Sequence, residues 1–463
     1  MSLPPTVIIN VVGLTPSLIG EHTPYIAEFI ARKENHLGHV EPVLPAVTCS
    51  AQATYLTGKL PSKHGIVGNG WYDRAYAEHR FWKQSNHLVE APKLWELLRE
   101  NDPGYTCANL FWWFNMYSSV DFSVTPRPIY LADGRKVFGV ASQPEGLAKE
   151  VCDEVGKFPF HTFWGPMSNI ESSRWIAQVA KRVELKNDPG LTLIYLPHLD
   201  YNLQRLGPDD PYIFDDLCLI DAVVGDLIRF YEAREVKVVL LSEYGITAVN
   251  HPVHLNRIFR KKGWLAIKRE LKRDTLDLGA SQAFAIADHQ VAHVYVNNPD
   301  ILEEVRGTLA ATEGVDEVIG ASMKSYYGLE HENSGDLIAV ADKRSWFTYY
   351  FWDDDRQAPD YARTVDIHRK PGYDPVELFL DPKLRSPKLK LAFKKLRSLL
   401  GFRNLYDVIP LDATLVRGSH GRVPEDRKDW PLLVGEFSAL KDGSEIRATD
   451  VFEQLFHLCS RRS

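Results

Sequence analysis

The stretch PVLPAVTCSAQATYLTGKLPSKHGIVGNGWYD, residues 42–73, decides how the rest of this 463-residue chain is interpreted. It begins like the end of a strand and continues like a helix, with Thr48, Cys49 and Ser50 at the turn between them. Such a turn leaves backbone N–H groups unpaired at the positive end of the helix dipole, where an anion such as phosphate can bind. A hydroxyl at this turn can attack the anion, although Ser and Thr here more often only cap the helix.

The same stretch resembles the signature of the nucleotide pyrophosphatase/phosphodiesterase family, within the alkaline phosphatase superfamily. The correspondence runs without a gap through Pro45, Thr48, Thr57, Gly58, Pro61, His64, Gly65, Asn69, Tyr72 and Asp73. The resemblance implies that Thr48 is the nucleophile of a metal-dependent phosphoester hydrolase and forms a phospho-threonine intermediate. It also implies that Asn69 steadies the phosphate oxygens. A small phosphodiester or nucleotide pyrophosphate is the expected substrate, and monoesters and phosphonates remain open.

Members of this family hold two zinc ions with three Asp and three His at strand ends. In this chain the six corresponding positions are Val12, Asp200, Gln204, Glu243, Tyr244 and His420. Asp200, Glu243 and His420 can still ligate a divalent cation, because carboxylate and imidazole suit zinc and similar metals. The resemblance therefore implies one or two divalent ions, with zinc as the expected metal, held by these three residues.

Other side chains could complete the site. In TVDIHRKPGYDP, Asp366 and His368 are predicted metal ligands, and Arg369 and Lys370 could replace metal charge at a phosphate. Further candidates, each more often a surface or hydrogen-bonded residue, are Asp288, His289, His293, His198, His251 and His254.

Tyr244 allows two interpretations. A phenol beside a buried carboxylate can serve as a catalytic acid or base or bind an anion, and it can equally fill the space of a lost histidine and zinc. Together with Val12 and Gln204, it motivates a competing hypothesis: a non-catalytic phosphate- or nucleotide-binding relative that has lost the two-zinc site.

Alternating strands and helices predict the fold. The runs at 6–14, 191–199 and 236–245 are apolar on both faces, as in parallel strands between helix layers, and helical spacing lies between them. This pattern predicts a doubly wound, mainly parallel α/β sheet with helices on both faces, and the resemblance makes it alkaline-phosphatase-like. We expect a core of residues 1–255 and 335–463 and an inserted α+β cap at 256–334.

Composition limits the partners and the compartment. A net charge of −7 gives no global basic field, so no nucleic-acid polymer is expected. Five scattered cysteines without a CxxC favour reduced thiols and a cytoplasmic location. The N-terminal apolar run is interpreted as a first strand rather than a signal peptide, and no run is long enough for a membrane span. The oligomeric state is left open.

The segment SPKLKLAFKKLRSLLG (386–401) is basic, with Leu389, Phe393, Leu396 and Leu400 on one helical face. A membrane-surface or partner helix is possible. A helix packed on the core, with its basic side in solvent, is the favoured prediction.

Overall fold

The computed structural model describes residues 3–132 and 136–460, and within them the chain forms 21 strands and 13 α-helices. The strands are β1 Thr6–Val11, β2 His36–Glu41, β3 Gly70–Asp73, β4 Glu78–Phe81, β5 Cys107–Leu110, β6 Phe122–Tyr130, β7 Lys136–Gln143, β8 Leu191–Leu196, β9 Lys237–Leu241, β10 Thr247–Ala248, β11 His251–Val253, β12 Ala266–Glu270, β13 Arg273–Asp277, β14 Ala283–Asp288, β15 Val291–Val296, β16 Val315–Ile319, β17 Leu337–Ala341, β18 Ser345–Phe347, β19 Gly418–Ser419, β20 Leu432–Gly435 and β21 Ser444–Arg447. The helices are α1 Pro24–Ile30, α2 Thr48–Thr57, α3 Pro61–His64, α4 Leu94–Asn101, α5 Glu145–Val155, α6 Glu171–Asn187, α7 His198–Leu206, α8 Ile213–Glu232, α9 Leu255–Lys261, α10 Leu302–Ala310, α11 Ala321–Lys324, α12 Pro387–Leu399 and α13 Ala448–Ser460.

The main sheet has the strand order β21-β2-β20-β9-β1-β8-β5-β6-β7. Its centre is β9-β1-β8, the three apolar runs of the sequence, and these strands are parallel. Every residue of β1 and β8 is buried, because helices such as α6 and α8 pack against this sheet. Among the described strands of this main sheet, antiparallel pairs occur only where β20 meets its two neighbours and at β6–β7. The prediction of a mainly parallel α/β sheet is confirmed.

A second sheet of four antiparallel strands, β14-β15-β17-β16, has its own hydrophobic core. The chain leaves the main sheet after β9 and returns to it at β20. The run GDLIAVADK was expected to resume the main core near residue 335, but its strand β17 pairs with β15 and β16. The predicted boundary at 335 therefore does not match the sheet topology, because a buried strand looks the same in either sheet.

Helix α2 begins at Thr48, after Val47 in extended conformation, and ends at Gly58. Gly58 adopts the left-handed conformation with φ of 65°, which glycine takes without strain. A Cβ at this position would also lie 2.9 Å from Cγ of Phe452 on α13. All ten residues of α2 are buried, so the segment that carries Thr48 is held on every side.

The basic segment 386–401 forms α12, as its spacing predicted. Its apolar residues Leu389, Phe393, Leu396 and Leu400 are all exposed, by 56–70%. The prediction that this face packs on the core is therefore wrong. Within the described residues, no helix is long and apolar enough to cross a membrane.

Candidate active site

Thr48 lies at the carboxyl edge of the main sheet, at the first residue of α2. Its side chain is buried with 3% exposure. The neighbouring polar groups at the turn already make hydrogen bonds inside the protein. The backbone amide of Cys49 donates to Oδ1 of Asn69 at 3.0 Å, and Ser50 Oγ donates to the carbonyl of Pro45. Of the three adjacent candidate nucleophiles, Thr48 is the one whose side chain contacts the residues at the other strand ends.

A hydrogen-bonded chain runs from Thr48 to Asp200. Tyr244 Oη donates to Asp200 Oδ1 at 3.1 Å, and Thr48 Oγ1 lies 3.3 Å from the same Oη. When Asp200 is ionised, it takes the single proton of the phenol, and Thr48 is then the donor in its contact with Tyr244. Gln204, one turn after Asp200 on α7, donates to the other carboxylate oxygen at 2.8 Å. Burial raises the pKa of Asp200 to about 7, partly offset by these two donors.

Glu243 is fully buried at the end of β9 and is held by two amides. Asn10 on β1 and Gln52 on α2 both donate to its Oε1, and Oε2 has no hydrogen-bond partner among the described residues. Burial raises the pKa of Glu243 to about 8. Burial therefore favours the neutral form of this carboxyl group.

Four aromatic rings form a column beside this chain, which we call the ring column: Tyr244, His420, His289 and Tyr373. Consecutive ring centroids are 3.6, 3.7 and 3.6 Å apart. Tyr373 Oη donates to Oε1 of Gln204 at 3.0 Å, so the column closes on the amide that holds Asp200. The ring column fills the space between the two sheets at the carboxyl edge.

Both imidazoles of the ring column are buried and neutral. His420 Nδ1 donates to the carbonyl of Ala46 at 2.8 Å, and its Nε2 lies 3.9 Å from Asp200 Oδ1. His289 Nδ1 lies 2.8 Å from Oδ1 of Asp288. Burial lowers the pKa of each imidazole well below its ordinary value. Neither Nε2 has a hydrogen-bond partner within the described part of the chain.

Asn69 contacts the site through Asp288. Its backbone N and its Nδ2 both donate to that carboxylate, at 2.8 and 3.1 Å, and its Oδ1 accepts from Cys49. Burial raises the pKa of Asp288 to about 6. The amide predicted to steady phosphate thus makes one hydrogen bond through Nδ2 and one through Oδ1 inside the protein, and it ties the N-terminus of α2 to the second sheet.

The segment TVDIHRKPGYDP is only partly placed at the site. Lys370 is buried between Asp374 and Glu377, with both distances 2.7 Å, so its charge is neutralised there. Arg369 is 62% exposed in its side chain and pairs with Asp366 at 4.0 Å.

His368 Nδ1 donates to the carbonyl of Phe81 at 3.3 Å, and Asp366 lies 3.8 Å from Lys136. Within the described residues, Thr48 makes no hydrogen bond or ion pair with any of the four predicted residues of this segment, which are Asp366, His368, Arg369 and Lys370. The residue of this segment that does reach the site is Tyr373.

The remaining donors do not reproduce a two-zinc site. Val12 has no lone pair, Tyr244 directs its proton to Asp200, and Gln204 holds the same carboxylate. In residues 3–132 and 136–460, no group of three His, Cys, Asp or Glu side chains is arranged to hold a metal ion. The predicted metal set of Asp200, Glu243 and His420 is thus not assembled, because amides and a phenol occupy the carboxylates.

Sequence reasoning missed three residues of this site: Asn10, Gln52 and Tyr373. Asn10 gave a signal, since an amide inside a buried strand needs a polar partner. Gln52 lies one helical turn after Thr48, on the same face of α2. Asp288 and His289 were named only as possible replacements, and His293 instead contacts the carbonyl of Val67 at 2.9 Å.

The fold and this strand-edge site define an alkaline-phosphatase-like α/β protein. Two solved structures share its fold: phosphonoacetate hydrolase of Sinorhizobium meliloti in complex with phosphonoformate, with a TM-score of 0.63 and 13% identity, and mouse ectonucleotide pyrophosphatase/phosphodiesterase 5, an inactive variant in complex with AMP, with a TM-score of 0.58 and 14% identity. Each comparison covers 99% of this chain and 96% of the other.

Residues 6–374 match the type I phosphodiesterase / nucleotide pyrophosphatase family, and the chain belongs to this family. Two curated relatives are 23% identical: an uncharacterized pyrophosphatase/phosphodiesterase of Schizosaccharomyces pombe over 255 residues, and ectonucleotide pyrophosphatase/phosphodiesterase 2 of Saccharomyces cerevisiae over 284 residues. The matches cover 53% and 55% of this chain and 44% and 51% of the relatives. The chain thus spans about half the length of the curated relatives that it matches.

Proposed function

We propose that this chain hydrolyses a small phosphoester, with a phosphodiester or nucleotide pyrophosphate as substrate, and that Thr48 is the nucleophile. The observation that carries the proposal is the hydrogen-bonded chain from Thr48 through Tyr244 to Asp200. It gives the hydroxyl a path for its proton at the end of a helix that attracts an anion. Membership of the family supports the same reaction class.

The reaction proceeds in two steps. Thr48 Oγ1 attacks phosphorus, and the bond from phosphorus to the leaving oxygen breaks. The Oγ1 proton passes to Tyr244 Oη while the Oη proton passes to Asp200, and the leaving oxygen departs as an anion or takes a proton from water. Water then attacks phosphorus and breaks its bond to Oγ1, which takes back the proton held by Asp200 through Tyr244. This releases the phosphate product and restores the Thr48 hydroxyl and the Asp200 carboxylate, and the proton lost by the attacking water passes to the leaving group or to solvent. Because the pKa of Asp200 is about 7, its carboxylate form is well populated at neutral pH.

Access to Thr48 requires the site to open between the two sheets. Thr48, Asp200 and Tyr244 all follow elements of the main sheet, whereas His289 and Tyr373 pair with the second sheet. Such an opening would break the hydrogen bonds of Asn69 to Asp288 and of Tyr373 to Gln204, whereas the contacts from Thr48 through Tyr244 to Asp200 lie within the main-sheet side. The main-sheet side therefore holds the reacting groups, and the second-sheet side covers them.

A second candidate function is binding of phosphate or a nucleotide without turnover. The specific observation in its favour is the ring column, which occupies the space beside the nucleophile and includes Tyr244 at a ligand position of the family. Val12 and Gln204 support the same hypothesis. In this case the protein would retain affinity for a nucleotide and release no product.

The test compares Thr48→Ala with Cys49→Ala, using bis(4-nitrophenyl) phosphate as substrate. We expect Thr48→Ala to lose activity by about 10³-fold or more, because the nucleophile is removed, and Cys49→Ala to stay near the wild type. Equal activity of Thr48→Ala and wild type would reject the role of Thr48. Wild-type protein that binds AMP in calorimetry without hydrolysing any substrate would establish the second candidate.

We also propose a reducing compartment, the cytoplasm, for this chain. Its five cysteines are all free, and Cys49, Cys107 and Cys459 are buried. Free thiols persist where disulfides are kept reduced.

A further inference from the structure

Helix α12 presents a continuous apolar face to solvent. Leu389, Phe393, Leu396 and Leu400 are exposed by 70, 58, 56 and 68%. At 3.6 residues per turn they lie within about 60° of one another around the helix axis. Phe402, directly after the helix, is also 58% exposed. This is a clustered patch rather than the scattered exposed apolar residues of an ordinary surface.

The opposite side of α12 fixes the helix to the protein. Lys390 Nζ donates to the carbonyl of Asp407 at 2.9 Å and pairs with its carboxylate at 3.1 Å, and Lys394 binds the same carboxylate. Leu391 packs against the core of the second sheet. These contacts set the rotation of the helix, so its apolar face is held outward.

Charge distinguishes this segment from the rest of the chain. Residues 383–403 contain eight Lys or Arg and no Asp or Glu, although the whole chain has a net charge of −7. Lys395 and Arg397 flank the exposed apolar face on its two sides. A segment that is strongly basic and apolar at once matches a surface that combines negative charge with an apolar interior.

We propose that α12 docks this protein onto the surface of an anionic lipid bilayer. The helix lies in the plane of the headgroups, with Leu389, Phe393, Leu396 and Leu400 inserted at the boundary of the acyl chains. The flanking Lys and Arg contact lipid phosphates. Nucleic acid offers the negative charge but no apolar phase, so it leaves the exposed side chains unaccounted for. This inference does not depend on the proposed hydrolase activity.

The test is flotation of the full chain with vesicles of phosphatidylcholine alone or with about one third phosphatidylglycerol. We expect binding to the anionic vesicles and its loss at high salt, because screening weakens the attraction. Replacing Leu389, Phe393 and Leu396 together with Ser should weaken binding about tenfold or more. Lys395→Glu with Arg397→Glu should weaken it about fivefold or more.

The matched control is Leu271→Ser with Tyr326→Ser, which removes two apolar side chains that are 97 and 77% exposed elsewhere on the surface. This control should float like the wild type. All the replaced side chains are exposed, so melting temperatures should not change, and Leu396→Ser alone serves if the triple variant melts early.

Three outcomes would overturn the proposal: no flotation with anionic vesicles, undiminished flotation of the triple variant, or self-association of the wild type in sedimentation that the triple variant abolishes without any vesicle binding. The last outcome would assign the face to a second copy of the chain. Binding of a DNA duplex that the triple variant retains, in the absence of flotation, would equally contradict it.

Discussion

At the scale of single residues, the site is defined by one hydroxyl, that of Tyr244, which joins Thr48 to Asp200. Tyr244 Oη accepts from Thr48, donates to Asp200 and belongs to a ring that stacks on His420 at 3.6 Å. Burial raises the pKa of Tyr244, so the phenol stays neutral and keeps its single proton. A substitution that removes only this oxygen breaks the proton path and leaves the packing of the ring in place. It therefore tests the two roles of Tyr244 separately.

We expect Tyr244→Phe to lower kcat about 100-fold, because Thr48 loses its proton acceptor while the ring column stays filled. The measurement is steady-state hydrolysis of bis(4-nitrophenyl) phosphate. Tyr350→Phe is the matched control, since it removes another buried hydroxyl, one without a hydrogen-bond partner among the described residues. Equal rates for the two variants would show that Tyr244 only fills space.

Glu243 makes the stability of the fold depend on pH. Its pKa is about 8 in the folded protein against 4.5 ordinarily, so the folded chain keeps a proton that the unfolded chain has released between these values. The contribution of Glu243 to stability therefore falls as pH rises through this interval. Glu243→Gln keeps the acceptor for Asn10 and Gln52 and cannot ionise.

We therefore expect Glu243→Gln to reduce the loss of melting temperature between pH 5.5 and pH 8.5 that the wild type shows, within the interval bounded by the values of about 8 and 4.5. The exposed Glu313→Gln is the control and should follow the wild type. Identical pH profiles for Glu243→Gln and the wild type would contradict the buried position of this proton.

At the scale of elements, the segment 366–377 holds a buried ion cluster rather than a phosphate clamp. Lys370 is 1% exposed and lies 2.7 Å from both Asp374 and Glu377. A buried cation between two carboxylates is costly to remove, because the remaining charges lose their partner. The segment thereby presents Tyr373 to the ring column.

We expect Lys370→Met to lower the free energy of unfolding by about 3–5 kcal/mol, measured by urea denaturation. Its neighbour Arg369→Met should change stability by less than about 1 kcal/mol, because this side chain is exposed. Equal effects of the two substitutions would refute the buried cluster.

The sequence predicted where strands and helices form better than it predicted which other elements they pair with. Period and burial identified β1, β8 and β9, since strands buried on both faces contain few polar residues. The same criteria could not decide which sheet receives Leu337–Ala341, because pairing depends on distant strands. Likewise, spacing predicted α12 but could not tell whether its apolar face meets the core. The charge of Lys370 did not reveal the carboxylates that neutralise it.

At the scale of the whole molecule, two sheets with separate cores meet at the ring column. The motif at 42–73 was enough to predict the alkaline-phosphatase-like fold, and the position of Thr48 at a strand edge follows from it. The residue types at Val12, Gln204 and Tyr244, three positions where the resemblance implied metal ligands, were visible in the sequence. The hydrogen-bond network that Gln204 and Tyr244 join was not, because Tyr373 and His289 reach the site from the second sheet.

The hydrogen-bonded carboxylates of the site predict that the hydrolysis rate does not depend on a metal that a chelator can remove. Because amides and a phenol occupy Asp200 and Glu243, we expect EDTA dialysis to change the hydrolysis rate by less than about twofold. Elemental analysis of the purified protein should find well under one equivalent of zinc, manganese or iron. Loss of activity that added zinc restores would contradict the site described above.

The ring column also limits which side chains can stand at positions 204 and 244. Gln204 holds Asp200 and receives Tyr373, and Tyr373 rests on His289, which in turn rests on His420 and Tyr244. A histidine introduced at 204 alone would remove the amide oxygen that accepts the hydrogen bond from Tyr373 Oη. A histidine introduced at 244 alone would remove the phenol oxygen that contacts Thr48. A histidine at either position would therefore fit this network only together with changes at the side chains that Gln204 and Tyr244 now contact.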